Sequence, residues 1–373
     1  MIYLDYAANT PVDSKVMSIF IEETNQYMAN PNATHVLGRA ANERLNQITQ
    51  QTADLLGVKA SEIIYTSGAS EANNLAVKGL AQAYRHNGKH IISTCLEHPS
   101  VSGALTYLQT LGYEIDLVDI TSDGLVDLDH LRELLRKDTV LVTICMVDSE
   151  LGVRQPIEEI GKIVSNYPDC YFHTDATQAV GKIPVSFDNI DCMTFAPHKF
   201  YGLNGCGVLI KREKVVLVPL IHGGNSTTIY RSGTPVLGLA AAILESLEIS
   251  LQQLQERHDY VKKLNDKLRK ALQSYKKVRI NSTMYSVPHI LNISVQGVKA
   301  GVFREALEEE GICVSIKSAC SVTGSPSRPV CAVSKDKKNA MCSWRISLSH
   351  LTTHEEIDYF LEAFSRCYEK LTV

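Results

Sequence analysis

The sequence predicts an α/β protein: a large domain on a mainly parallel sheet, followed by a smaller α+β domain. Two observations carry that prediction. From residue 14 to 250, nearly continuous apolar runs alternate with amphipathic helical stretches, the pattern of parallel strands covered on both faces. Past residue 251 the alternation stops, and a few strands and helices follow that fit a separate, smaller unit. A chain of 373 residues also exceeds the roughly 250–300 residues at which a single core stops growing. The expected division is 14–250 for the large domain, and 1–13 with 251–373 for the small one.

Each element follows from its own pattern. GRAANERLNQITQQTADLLG places Leu45, Ile48, Ala53 and Leu56 on one helical face. SEIIYTSG reads as a strand, SEANNLAVKGLAQAYRH as a helix, and HIISTCL as the next strand. The series continues through SVSGALTYLQTLG, YEIDLVDI, DLDHLRELLRK, TVLVTICMV, PIEEIGKIVSNYP, DCYFHTDATQ and CMTFAPHK. Residues 236–275 carry one long helical pattern without an internal proline, expected to bridge the two domains. HILNISV, AGVFREALEEEG, ICVSI, SWRISLS and HEEIDYFLEAFSRCYEKL then compose the smaller domain. One stretch, about 318–342, has little periodicity and contains Gly324, Pro326 and Pro329; an irregular segment of that length reads as a functional loop.

Composition narrows the function. Apolar content of 45% and charged content of 21% are those of a soluble globular protein. A net charge of −4 argues against nucleic acid as a direct partner, and no run approaches the roughly 18 apolar residues of a membrane span. The N-terminus has Asp5 and Asp13 and no basic region, so a signal peptide is not expected. None of the ten cysteines forms a C-x2-C pair, so no metal site is expected; reduced thiols in a cytoplasm are.

Four features carry chemistry. IIYT runs into Ser67-Gly68-Ala69-Ser70 and a helix, which makes either an anion site at helix amides or an ordinary capped helix. Asp175 ends an apolar strand, where it caps a turn or holds a protonated ring nitrogen. His98 stands just past a strand, a structural histidine or a flat ring partner. Lys199 follows the strand Asp191–Ala196, with His198 before it and Gly202, Gly205 and Gly207 after it to keep the turn open. Together they supply what pyridoxal 5'-phosphate requires: an amine, an anion site and a carboxylate for its ring nitrogen.

The motifs YLDYAANTPVD, TSGASEANNLA, EHPSV, HTDATQAVGK, HKFYGLNGCG, RSGTP, SACS and SWRISLSHLTTHEEID follow one another in an order that resembles the cysteine desulfurases of the class V aminotransferase superfamily, from residue 2 to about 366. The resemblance implies a pyridoxal-phosphate-dependent transferase of fold type I, acting as a homodimer on L-cysteine and passing persulfide sulfur to an acceptor protein. It gives Lys199 the Schiff-base link, Asp175 the pyridinium nitrogen, Gln178 the ring's phenolic oxygen and His98 the ring face. Ala69, Ser70 and His198 hold the phosphate, and Thr234 reaches the partner subunit's phosphate. Arg345 binds the substrate carboxylate, and Cys320 is the nucleophile, with Cys331 and Cys342 as rivals and Lys317 and Arg328 as nearby positive charge.

Four positions depart from the family. Asp148-Ser149 stand where two asparagines are usual, so Ser149 replaces a contact to the phenolic oxygen; Ala196 replaces a phosphate-binding serine, and Lys317 a glycine. The chain also ends without the extension that docks an iron–sulfur scaffold, which favours a supplier for tRNA thiolation or cofactor synthesis. Two other readings keep the fold: a selenocysteine lyase or cysteine-conjugate β-lyase, and a catalytically silent paralogue acting as a binding protein.

Overall fold

The apolar runs of the sequence form a seven-stranded sheet at the centre of the computed structural model, which describes residues 1–224, 226–317 and 325–372. The strands are β1 (Ile2–Tyr3), β2 (Ile63–Thr66), β3 (His90–Ser93), β4 (Glu114–Leu117), β5 (Thr139–Thr143), β6 (Tyr171–Asp175), β7 (Cys192–Phe195), β8 (Gly207–Lys211), β9 (Val278–Ile280), β10 (Ile290–Val295), β11 (Ile312–Cys313) and β12 (Ser343–Ser347). The large sheet has the order β2-β8-β7-β6-β5-β3-β4. Its pairs from β4 to β7 are parallel, and β8 runs antiparallel to both β7 and β2. The sequence reading did not assign β8, whose five residues follow a glycine-rich turn.

The helices are α1 (Ser14–Gln26), α2 (Val36–Leu56), α3 (Ala69–Ala83), α4 (Pro99–Thr110), α5 (Leu128–Leu134), α6 (Ile157–Val164), α7 (Leu237–Gln252), α8 (Leu254–Leu272), α9 (Ala300–Glu309), α10 (Arg328–Ser334), α11 (Lys337–Met341) and α12 (His354–Thr372). Helices such as α6 on one face and α3 and α4 on the other cover the large sheet. Successive strand residues alternate between two cores: Ile63, Ile92, Val142 and Val208 in one, Ile64, Ile91, Leu141 and Leu209 in the other.

A second core gathers residues of α8, α9, α12, β10 and β12 around Phe303, Trp344, Phe360 and Phe364, and it takes Leu4 from the N-terminus. Its sheet has the order β12-β10-β9, antiparallel throughout, and β1 pairs in parallel with β11 beside it.

The long helical pattern is not one helix: it breaks at Gln253, and the two pieces serve different cores. Leu237, Ala240, Ala241 and Leu244 of α7 pack with α2, whereas Val261, Leu264, Leu268 and Leu272 of α8 pack in the second core. Periodicity could not show the break, because helical spacing runs through both pieces.

The stretch 318–342 is not irregular throughout. Residues 328–334 and 337–341 form α10 and α11, capped by Ser327 and Asp336. Pro329 falls in the first turn of α10, where a missing N–H costs nothing, so it opens a helix rather than breaking one. Val330 and Ala340 pack on Leu151 and Val153, and Ser327 Oγ donates to Glu150 Oε2 at 2.6 Å.

Candidate active site

Strand ends deliver the site, as open parallel sheets dictate. β2 feeds the start of α3, β3 leads to His98 at the N-cap of α4, β6 ends in Asp175, and β7 leads through Ala196 into a 3-10 turn over Pro197–Lys199. These ends surround a cavity of about 390 Å3 lined by Ala69, Ser70, His98, Ser149, Asp175, Gln178, His198, Lys199 and Arg345. Its size lies within the range of about 300–1,000 Å3 usual for small-molecule sites. One candidate is not brought there. Thr234 lines a neighbouring cleft with Tyr65 and Arg231, and Cys320 lies outside the described residues.

At the wall of the cavity, Lys199 Nζ donates to the carbonyl of Ala8 at 2.6 Å. Asp175 is buried and held on both oxygens: Thr177 N donates to Oδ1 at 3.0 Å, and Asn73 Nδ2 donates to Oδ2 at 2.7 Å. Asn73 also donates to Ser100 Oγ at 2.9 Å, and that hydroxyl lies 2.8 Å from His98 Nδ1. Nδ1 accepts from Ser100 N at 3.2 Å as well, which leaves the ring's proton on Nε2. Burial holds His98 below the ordinary histidine range, in keeping with a neutral ring. A carboxylate and a flat imidazole are thus fixed relative to each other through Asn73 and Ser100.

At the Gly68–Ser70 wall of the cavity, α3 begins without a side-chain cap at Gly68, so no side chain among the described residues caps its first amides. Ser70 is the second residue of the helix. Gly68 has φ +153°, and a Cβ on Gly207 would meet its Cα at 2.7 Å. Gly207 therefore lets β8 close against the helix start and is absent from the cavity lining. His198 is pushed down to about 4, first by burial and then by the charges of Lys199 and Lys182.

Arg345, 1% exposed, is held by two acceptors: its Nη2 donates to Asp5 Oδ1 at 2.7 Å and its Nη1 to the Ser149 carbonyl at 2.6 Å. Ser315 Oγ steadies Asp5 at 3.0 Å. Arg345 Nε is buried with no hydrogen-bond partner among the described residues. Behind Ser149, Asp148 accepts from the amides of Glu150, Leu151 and Gly152, and burial lifts its carboxyl to about 7. Glu97, next to His98, is lifted by burial to about 8 and accepts from Thr94 Oγ1 and Cys145 N. Of the cations expected near the nucleophile, Lys317 donates to Ser325 and Arg328 to the Glu97 carbonyl.

The sequence reading missed Asn73, Ser100, Glu97 and Asp5. One signal was present for Asn73: two adjacent asparagines in a helix otherwise rich in alanine and leucine are poor helix formers, and a side-chain task offsets that cost.

A strand-end lysine and a fixed carboxylate, sharing a cavity with an uncapped helix start, define an enzyme site rather than a binding module. The comparisons agree. The family described as Aminotransferase class-V matches residues 2–360. The cysteine desulfurase IscS of Glaesserella parasuis is 38% identical over 381 residues, covering 99% of this chain and 93% of its own. A solved NifS-like protein superposes with a TM-score of 0.91 at 32% identity, covering 100% of this chain and 99% of its own. The structure of SspA in complex with cysteine gives a TM-score of 0.82 at 31% identity, over 95% of this chain and 100% of its own. The chain belongs to the aminotransferase class-V family, and its relatives place it among the cysteine desulfurases.

Proposed function

We propose that the chain is a pyridoxal-phosphate-dependent cysteine desulfurase that converts L-cysteine to L-alanine and leaves a persulfide on Cys320 for an acceptor protein. One observation carries the reading: Lys199, Asp175 and the uncapped start of α3 line a single cavity with Arg345. Those groups fit a flat, phosphorylated aromatic aldehyde, because an amine, a carboxylate and helix amides are its three anchoring needs. The names of the relatives favour this reading over a selenocysteine lyase, a β-lyase or a silent paralogue.

When bound, pyridoxal phosphate supplies an electron-withdrawing ring conjugated to the substrate amine. The chain's residues do the rest. Lys199 Nζ holds the cofactor covalently and then moves the substrate Cα proton. Asp175 keeps the ring nitrogen protonated, Gln178 donates to the ring oxygen, and His98 covers the ring face. Ala69, Ser70 and His198 take the phosphate, and Thr234 takes the partner subunit's in a homodimer. Ser149 stands at the cavity wall where the family places an asparagine.

Arg345 binds the substrate carboxylate, a planar anion suited to its fork. Cys320, as thiolate, attacks the substrate sulfur: the new S–S bond forms as the Cβ–S bond breaks, and Cβ gains a proton to give alanine. In this reading residues 14–250 carry the cofactor, while 1–13 and 251–373 form the small domain with the nucleophile segment. The substrate is L-cysteine, and the setting is cytoplasmic.

Cys320→Ala tests the assignment. Sulfide and alanine production from cysteine, assayed with a reducing thiol, should fall at least about tenfold, the remainder reflecting direct attack by the added thiol. Retained full turnover would remove Cys320 as the carrier and return the lyase reading.

A further inference from the structure

Lys182 is the unused member of the HTDATQAVGK motif. It does not line the main cavity. It lines a smaller one of about 40 Å3 with Arg257, His258, His289 and His350, and no carboxylate is among the lining residues. A half-buried amine that shares a cavity with the Arg257 guanidinium and no carboxylate requires a reason, because burial disfavours its charge. Burial first, then the charges of Lys199 and Arg345, push its ammonium well below the ordinary lysine range, and in either charge state its nitrogen keeps a hydrogen to donate.

Its hydrogen bond supplies the reason. Lys182 Nζ donates to Gln178 Oε1 at 2.9 Å. The other end of that amide, Nε2, donates to the Ala7 carbonyl at 2.9 Å, and the Gln178 backbone carbonyl lies 3.2 Å from His289 Nε2. A carbonyl only accepts, so the Ala7 contact fixes which end of the amide is nitrogen. Nε2 has a second hydrogen, and Gln178 is a wall of the main cavity, whereas Lys182 stands outside it.

Without Lys182, Oε1 would be a buried acceptor with nothing to accept from, and the amide would gain by turning its oxygen elsewhere. We propose that Lys182 is a positioning residue that locks the Gln178 amide with its nitrogen toward the site, so that the second N–H stays available to the oxygen of the bound ring. This rests on the cofactor reading given above.

The test uses the full chain loaded with pyridoxal phosphate and follows the pH midpoint of its visible absorption band. An N–H donated to the ring oxygen favours the deprotonated chromophore, so losing it raises the midpoint. Lys182→Met should raise the midpoint by about one unit, the size of one hydrogen bond to a charged group. Lys182→Gln, which keeps an uncharged donor, should leave it at the native value. In a Gln178→Leu background, Lys182→Met should add no further shift.

An unshifted Lys182→Met protein overturns the proposal. So does an equal rise in Lys182→Gln, which would make the charge and not the hydrogen bond the active feature. A Lys182→Met shift that persists undiminished without Gln178 also overturns it. If the unaltered protein develops no visible band at all, the cofactor reading itself falls and takes this proposal with it, whereas a normal band that ignores Lys182 sinks only the proposal.

Discussion

Lys199→Ala protein is expected to fold normally, to show no visible absorption band with pyridoxal phosphate, and to lose at least about 1,000-fold in alanine formation. The magnitude follows from two losses at one atom: the covalent anchor, and the base that moves the Cα proton, itself worth about 100- to 10,000-fold. Folding should survive, because Lys199 is half-buried at the cavity wall and donates there to the Ala8 carbonyl. Such a bond contributes about 1 kcal/mol. Circular dichroism and thermal unfolding would verify the fold, absorption the anchor, and alanine release the chemistry. A persistent band in this variant would show that another amine carries the cofactor.

The second large effect belongs to Asp175. Asp175→Asn keeps the shape and the acceptor for Thr177 N, but it turns the edge facing Asn73 from acceptor to donor. Asn73 Oδ1 is buried and has no partner among the described residues, so turning that amide restores the contact. The same turn withdraws the N–H from Ser100 Oγ and loosens the link to His98. Stability should therefore change little, while the negative charge facing the ring nitrogen is gone. Turnover should fall about 100- to 1,000-fold, the range for removing one preorganised electrostatic partner. Stopped-flow measurement of alanine formation in protein shown by absorption to be fully loaded would separate this from weaker cofactor binding. Unchanged turnover would mean that the ring nitrogen's protonation is not set by Asp175.

Much of this site was legible because strand ends announce themselves. An apolar run that stops at Asp175, or just before His198 and Lys199, places chemistry at the carboxyl edge of a parallel sheet by geometry alone. The alternation of helices and strands likewise marked the main sheet. What escaped were partners far apart in sequence. Asn73 reaches across 102 residues to Asp175, and Asp5 across 340 to Arg345, and no local pattern encodes such a meeting.

The short helices α10 and α11 escaped for another reason: seven and five residues are too few to display a period, and tertiary contacts through Val330 and Ala340 hold them. The break at Gln253 was hidden because both flanking pieces are helical, and only their burial patterns differ.

The central claim is sulfur transfer from cysteine to a thiol of this chain, with Lys199 and Asp175 managing the electrons. Mass spectrometry of the loaded protein after brief incubation with L-cysteine addresses it most directly. The expected result is a gain of one sulfur atom, about 32 Da, on the peptide containing Cys320, with an equivalent of alanine released. Alanine absent and every cysteine peptide at its original mass would contradict it.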